Sequence, residues 1–307
     1  MSIYKGIFST QWSSGNIEIH VKGGILMSFY IKLLFKNWSI SEIKPSKKTV
    51  LVEFDRPSKN VEIVKTTLFS YQRIITEKLV RTRITKINIP RACVRSMYKF
   101  IVNRGSVVGI PELYMSIIRK SIIEPLEYNA HKDGFSLIHA SSFMYNKKTF
   151  VIVAGSKIGK STLILNLTRK NNVNVLSDNY CFINGNIIRT IEEPFRSGRP
   201  KRFKTTFYNR SISGRPDIYE GKADFIIHLK RGVENSLNNL NAINMQMIIN
   251  EINEHEKEGI NYITETDPIW LEKQNLNLSD KLKFFTLSIA EGIENVDIAI
   301  NQLKKLA

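Results

Sequence analysis

The spacing of apolar positions changes along this chain. Residues 1–90 carry short alternating runs, IEIHV at 17–21, TVLVEF at 49–54 and KINI at 86–89, whose period of two predicts strands. TLFSYQRIITEKLVR at 67–81 and LYMSIIRKSIIEPL at 113–126 instead repeat at helical spacing, so the first part reads as a small α+β unit. From Phe135 onward the texture is strand-like again, in FSLIHASSF, TFVIVAG, NVNVLSDNYCFI, NIIRTI and DFIIHL. One helix is expected from Ser161 to about Lys170, and amphipathic helices in NMQMIINEINEH and NVDIAINQLKKL. Asn184-Gly185 between two apolar runs signals a hairpin, and the Asn-rich ENSLNNLNAIN reads as a loop. The expected division is an N-terminal α+β domain over 1–130 and an α/β domain with a mixed sheet over 131–307.

The stretch VIVAGSKIGKSTLILNL, residues 151–167, changes the picture from fold to chemistry. A loop that closes on phosphate aims successive backbone N–H groups inward and feeds them into a helix N-terminus, so it needs a strand before it and a helix after it. Phe150–Val153 and Ser161–Lys170 provide that context. The candidate phosphate-binding residues are Ala154, Gly155, Ser156, Lys157, Ile158, Gly159, Lys160, Ser161 and Thr162. In a G-x-x-x-x-G-K-[ST] loop Lys160 reaches the outer phosphates and the Ser161 hydroxyl sits on magnesium. The first glycine of the pattern falls on Ala154, with Gly155 one place late, so Ala154 must keep a negative φ for the loop to form. The plain alternative is a strand-turn-helix in which Gly-Lys-Ser is accidental.

Composition and charge add bounds. Forty-five Lys and Arg against 28 Asp and Glu leave +17, a field that favours phosphorylated ligands, nucleic acid or anionic peptides, and equally fits a solvated Lys-rich surface. Only Cys93 and Cys181 occur, which excludes a disulfide framework and a paired zinc spacing and fits a reducing, cytoplasmic setting. The run GGILMSFYIKLLF is cut by Lys32 and is shorter than the roughly 20 residues a membrane span needs, and nothing at the N-terminus reads as a signal peptide. No membrane partner is expected.

The order GFSLIHAS, VIVAGSKIGKST, VLSDNY, followed by FIIHLKRG, resembles the HPr kinase/phosphorylase family and its wider group, whose fold is shared with phosphoenolpyruvate carboxykinase. The resemblance spans roughly residues 130–307. It implies an ATP- and Mg²⁺-dependent kinase for a serine-type hydroxyl of a peptide, a protein or free serine, with pyrophosphate or another nucleotide as the alternative donor, since the loop fixes phosphates and not the base. In that reading Asp178 accepts the hydroxyl proton, His139 stands one strand-turn before the phosphate loop, and Lys160 belongs to the loop itself. Each has a bland reading beside it: a hydrogen-bonded structural histidine, and a turn former in Ser-Asp-Asn.

Two departures from the family stand out. Where it carries a second aspartate that serves the metal, this chain has Asn179, which offers an amide oxygen without charge. In place of the family's arginine-glycine signature stands IEEPFRSGRPKRF at 191–203, whose Arg196, Arg199, Lys201 and Arg202 suit phosphates or an acidic substrate, or form a basic surface loop.

Three readings follow. The first is a kinase whose N-terminal domain recognises the acceptor or makes a homo-oligomer contact. The second, favoured by Ala154, Lys157 and Asn179, is a nucleotide-binding regulator without chemistry. A nucleic-acid-binding protein ranks last, because its basic residues are scattered and lack interleaved aromatics.

Overall fold

The computed structural model describes residues 5–12, 15–22, 48–94, 112–155, 158–170, 173–177, 180–191, 195–199, 202–207, 218–259, 276–292 and 294–307. The chain divides into two compact units, one of residues 1–133, 201–206 and 261–273, the other of 134–200, 207–260 and 274–307. Both are mixed α/β.

In the first unit six strands form a sheet: β1 (Lys5–Trp12), β2 (Gly15–Lys22), β3 (Lys48–Phe54), β4 (Val64–Lys65), β5 (Phe69–Ile75) and β6 (Leu79–Ile87), in the order β1-β2-β3-β6-β5-β4. β3 lies parallel to both β2 and β6, while the other pairs are antiparallel. Residues 67–81, expected as a helix, are instead the hairpin of β5 and β6. The Thr76 hydroxyl accepts the Leu79 N–H at 3.1 Å and closes the turn. A register shift between Ser70 and Tyr71 breaks the alternation of two and leaves an apolar spacing that imitates a helix.

The expected helix near 113–126 is present as α1 (Glu112–Ile118), a π-helical turn (Arg119–Ile123) and α2 (Glu124–Lys132). The π-helical turn packs on β3 and β6 and buries charge. Glu124, 1% exposed, receives Arg73 at 3.3 Å and Lys120 at 2.6 Å, and Arg73 also donates to the Lys120 carbonyl. Burial pushes the Glu127 carboxyl up, against the opposing pull of Arg119 at 3.7 Å.

The second unit is built on a mixed sheet of β7 (Ser136–Tyr145), β8 (Lys148–Val153), β9 (Asn174–Ser177), β10 (Tyr180–Asn184), β11 (Ile187–Ile191), β14 (Ile218–Lys222), β15 (Phe225–Arg231), β16 (Ser236–Leu240) and β17 (Lys283–Ile289). Strands β12 (Phe195–Arg199) and β13 (Arg202–Phe207) lie outside it. The order is β14-β11-β10-β7-β8-β15-β17-β16, with β9 also on β7. β8, β15 and β17 are parallel; β7 and β16 flank them antiparallel. The hairpin at Asn184-Gly185 is present one residue late, with Gly185 (φ +61°) and Asn186 as its two loop residues. The Asn-rich stretch is partly an edge strand, not a loop: in β16 Leu237 and Leu240 pack on the two cores while Asn238 and Asn239 between them are exposed.

Helices cover both faces. Leu163, Ile164 and Leu167 of α3 (Lys160–Lys170) and Ala299, Ile300 and Leu303 of α5 (Glu294–Lys304) pack with Ile152, Ile227 and Leu287 on one side. Met245, Ile249 and Ile252 of α4 (Ala242–Gly259) pack with Val151, Val153 and Ile226 on the other. Coverage on both faces explains why β8 and β15 read as unbroken apolar runs. Through the first core runs a stack of rings, Phe143 on Phe150 at 4.9 Å and Phe150 on Phe225 at 4.7 Å. Among the described residues, no helix is long and apolar enough to cross a membrane.

Phe150 is fully buried at the middle of that stack. Phe150→Ala is expected to destabilise the second unit by about 3–5 kcal/mol, read as a lowered denaturant midpoint.

Candidate functional site

The strand-loop-helix that the sequence marks out lies at the C-terminal edge of the parallel strands. β8 ends at Val153 and α3 begins at Lys160. Ala154 is buried and is not in the left-handed region, which meets the condition its side chain imposes on the loop. Gly159 has φ +115°, a conformation that only glycine adopts without strain, and its carbonyl accepts the Leu163 N–H at 2.9 Å. Gly159 therefore caps α3, and the helix supplies no acceptor to the N–H groups of its first turn, at Lys160, Ser161 and Thr162. Lys160, 5% exposed, is a buried cation at the positive end of a helix, where the dipole opposes it. An anion at this point would offset both the dipole and the charge.

His139 lies beside the start of the loop. Ala140 is opposite Val153 in the β7–β8 register, so His139 is next to the position of residue 154. Here β7 is no longer paired with β8, and Asn253 of α4 completes its edge: the His139 N–H donates to Asn253 Oδ1 and Asn253 Nδ2 donates to the Leu137 carbonyl, both at 3.0 Å. On the other edge His139 pairs with Tyr180, whose ring meets the imidazole edge-on at 5.9 Å. Three residues further along β7, Ser142 pairs with Ser177 and their buried hydroxyls lie 2.7 Å apart.

Asp178 and Asn179, between Ser177 and Tyr180, lie outside the described residues, as do Ser156 and Lys157 of the loop. Of the basic stretch, Arg196 and Arg199 belong to β12 and Arg202 to β13, with their side chains outside the description together with Lys201. The structure thus brings His139, Ala154, Gly155, Ile158, Gly159, Lys160, Ser161 and Thr162 to one edge of the sheet.

One basic residue at this edge was not singled out from the sequence. His228 of β15 pairs with Val153, so Leu229, Lys230 and Arg231 run on past the end of β8. A Cβ placed on Gly159 would lie 3.7 Å from Arg231 Nη2. The signal was the Lys230-Arg231-Gly232 that ends the apolar run of β15; its place beside the loop comes from parallel pairing, which has no local trace. Asn253 has no signal in its helical sequence.

The ionisable groups nearby differ in state. Burial holds the His228 imidazole below its ordinary pKa, Lys230 acts in the same direction, and Glu251 opposes them. Burial pushes the Cys181 thiol far up, so it is no nucleophile at neutral pH.

No family model matches this sequence, and no curated protein matches it. The structure is weakly similar to the HPr(Ser) kinase/phosphatase of Coxiella burnetii, with a TM-score of 0.31 and 11% identity over 56% of this chain and 99% of that one. A likeness that weak assigns no residue a role.

Two expectations follow from this geometry. Gly159→Ala forces alanine into φ +115° without a steric clash, so the loss of stability is expected near 1–3 kcal/mol from backbone strain alone, read from urea unfolding. For His228 the folded pKa is the lower one, so the unfolded chain binds the extra proton. Its contribution is full above the unfolded value, near 6.5, and is lost as pH falls towards the folded one. His228→Asn should therefore lose less stability than the parent between pH 7.5 and pH 5 in parallel melts, about these ordinary histidine values.

Proposed function

We propose that the second unit is a nucleotide-dependent phosphotransferase that moves the terminal phosphoryl group of ATP to a serine-type hydroxyl of a peptide, a protein or free serine. The observation that carries the reading is Gly159 at φ +115° opening α3 with Lys160 at the C-terminal edge of β8, a geometry suited to a phosphate chain. The second unit supplies backbone N–H groups, a helix N-terminus and a lysine, the parts such a transfer needs most, since the chemistry is mainly positioning and charge neutralisation.

The step balances simply. The hydroxyl oxygen attacks the terminal phosphorus, the new O–P bond forms as the bond to the bridging oxygen breaks, and ADP leaves with that bond's electron pair. Asp178 takes the hydroxyl proton, and His139, beside the loop, orients that carboxylate or a phosphate oxygen. Ser161, half-buried in the first turn of α3, and Asn179 offer hard oxygen donors that suit Mg²⁺. Bound there, the ion would neutralise phosphate charge. The first unit is left to recognise the acceptor or to make an oligomer contact.

The test is transfer of label from γ-labelled Mg-ATP to serine, serine peptides and cell extract, with mutants in parallel. Asp178→Asn should leave nucleotide affinity nearly unchanged while lowering transfer by about 10²- to 10⁴-fold. Lys160→Ala should lower both, and His139→Ala should cost less transfer than Asp178→Asn. Nucleotide binding with no labelled acceptor would overturn the kinase and support the second reading, a regulator, to which the uncharged Asn179 already points. Absence of nucleotide binding would overturn both.

A further inference from the structure

Arg231 lies in this second unit with no role in the reaction so far, and four features make it more than a surface arginine. Its guanidinium reaches the capping glycine of α3, 3.7 Å from the Cβ position of Gly159. The guanidinium makes no hydrogen bond or ion pair among the described residues and is exposed. The pocket of about 60 Å³ that it lines is walled by Ile158, Thr162, Leu229, Ile289 and Val296, so among the described residues no carboxylate lines it beside the guanidinium. Its backbone is also fixed: Arg231 pairs with Ile289, and the Gly232 N–H donates to the Ile289 carbonyl at 3.1 Å. Gly232 is needed for that closeness, since a Cβ there would meet Ser288 Cβ at 3.0 Å and the Glu234 carbonyl at 3.2 Å.

A planar, permanently charged fork beside a helix N-terminus has the same sign as the helix end, so an anion between them would be attracted by both. In a phosphate loop of this kind the backbone N–H groups would enclose the phosphate nearest the helix. A guanidinium outside that ring, reaching over from the neighbouring parallel strand, can add only to oxygens the ring leaves open. We propose that Arg231 binds the terminal phosphate of the donor nucleotide and fixes the transferred group against the helix end. This rests on the phosphotransferase reading and adds the residue that tells a triphosphate from a diphosphate.

The experiment is displacement of a fluorescent nucleotide analogue from the full chain by ATP, ADP and AMP in Mg²⁺, comparing the parent with Arg231→Gln and Arg231→Lys, with thermal melts as a folding control. Arg231→Gln is expected to weaken ATP by about tenfold or more and ADP by less than about threefold, the loss of a charge-assisted bidentate contact. Arg231→Lys should recover only part, because an ammonium lacks the fork. Unchanged ATP affinity in Arg231→Gln would overturn the assignment and leave the phosphotransferase reading standing. Equal weakening of ATP and ADP would also overturn it, by moving Arg231 off the terminal phosphate. A parent chain that binds none of the three nucleotides would overturn that reading, and this inference with it.

Discussion

Positive potential converges where α3 begins, and the local structure resists dispersing it. The helix contributes about half a positive elementary charge at its N-terminus. Lys160 adds a whole one that burial shields from water, and Arg231 brings another from the next strand. The helix end and Lys160 are held in place, and the backbone that carries Arg231 is fixed while its exposed side chain is not. Gly159 sets the loop's exit angle with its φ of +115°, and Gly232 with the β15–β17 ladder sets the root of Arg231. A site preorganised in this way does not have to gather its charges when an anion binds, which is how fixed dipoles come to favour a charged group.

That preorganisation depends on the sheet beneath. β8 and β15 are covered on both faces, by α3 and α5 on one side and α4 on the other, so neither strand end can shift without disturbing packed side chains. The Phe143–Phe150–Phe225 stack lies under the same two strands and ties their spacing to the antiparallel neighbour β7. His139 shares in this rigidity through β7, while Asn253 holds the stretch of strand that β8 leaves unpaired. Stability and site geometry thus rest on the same few contacts.

Much of this was legible in the sequence where one local rule dominated. The continuous apolar run of β8 followed by Gly-Lys-Ser and a helical period gave strand, loop and helix in the right places, because doubly covered strands and amphipathic helices leave unmistakable patterns. Where two rules competed, the reading failed. The shift between Ser70 and Tyr71 converted a strand's alternation into a helical spacing, and in β16 two exposed asparagines between Leu237 and Leu240 left no apolar alternation to read. The site was legible to the extent that it is contiguous in sequence. Arg231 lies more than seventy residues beyond Gly159 and reaches it only through parallel pairing, which no window of sequence contains.

The surplus charge of +17 finds a more limited meaning in this light. At physiological salt, exposed charges are screened beyond about 8 Å, so lysines spread over the surface can raise the encounter rate of an anion but cannot choose where it settles. That choice falls to charges that water screens least and to those that converge with them on one point. A buried Lys160 on a helix end meets this requirement and most of the other 44 basic residues need not, so net charge and the proposed anion site are separate properties of the same chain. Neutralising surface lysines should therefore slow association in a salt-dependent way, whereas a change at the start of α3 should alter the affinity itself, because there backbone dipoles and a desolvated cation would act on the same oxygens.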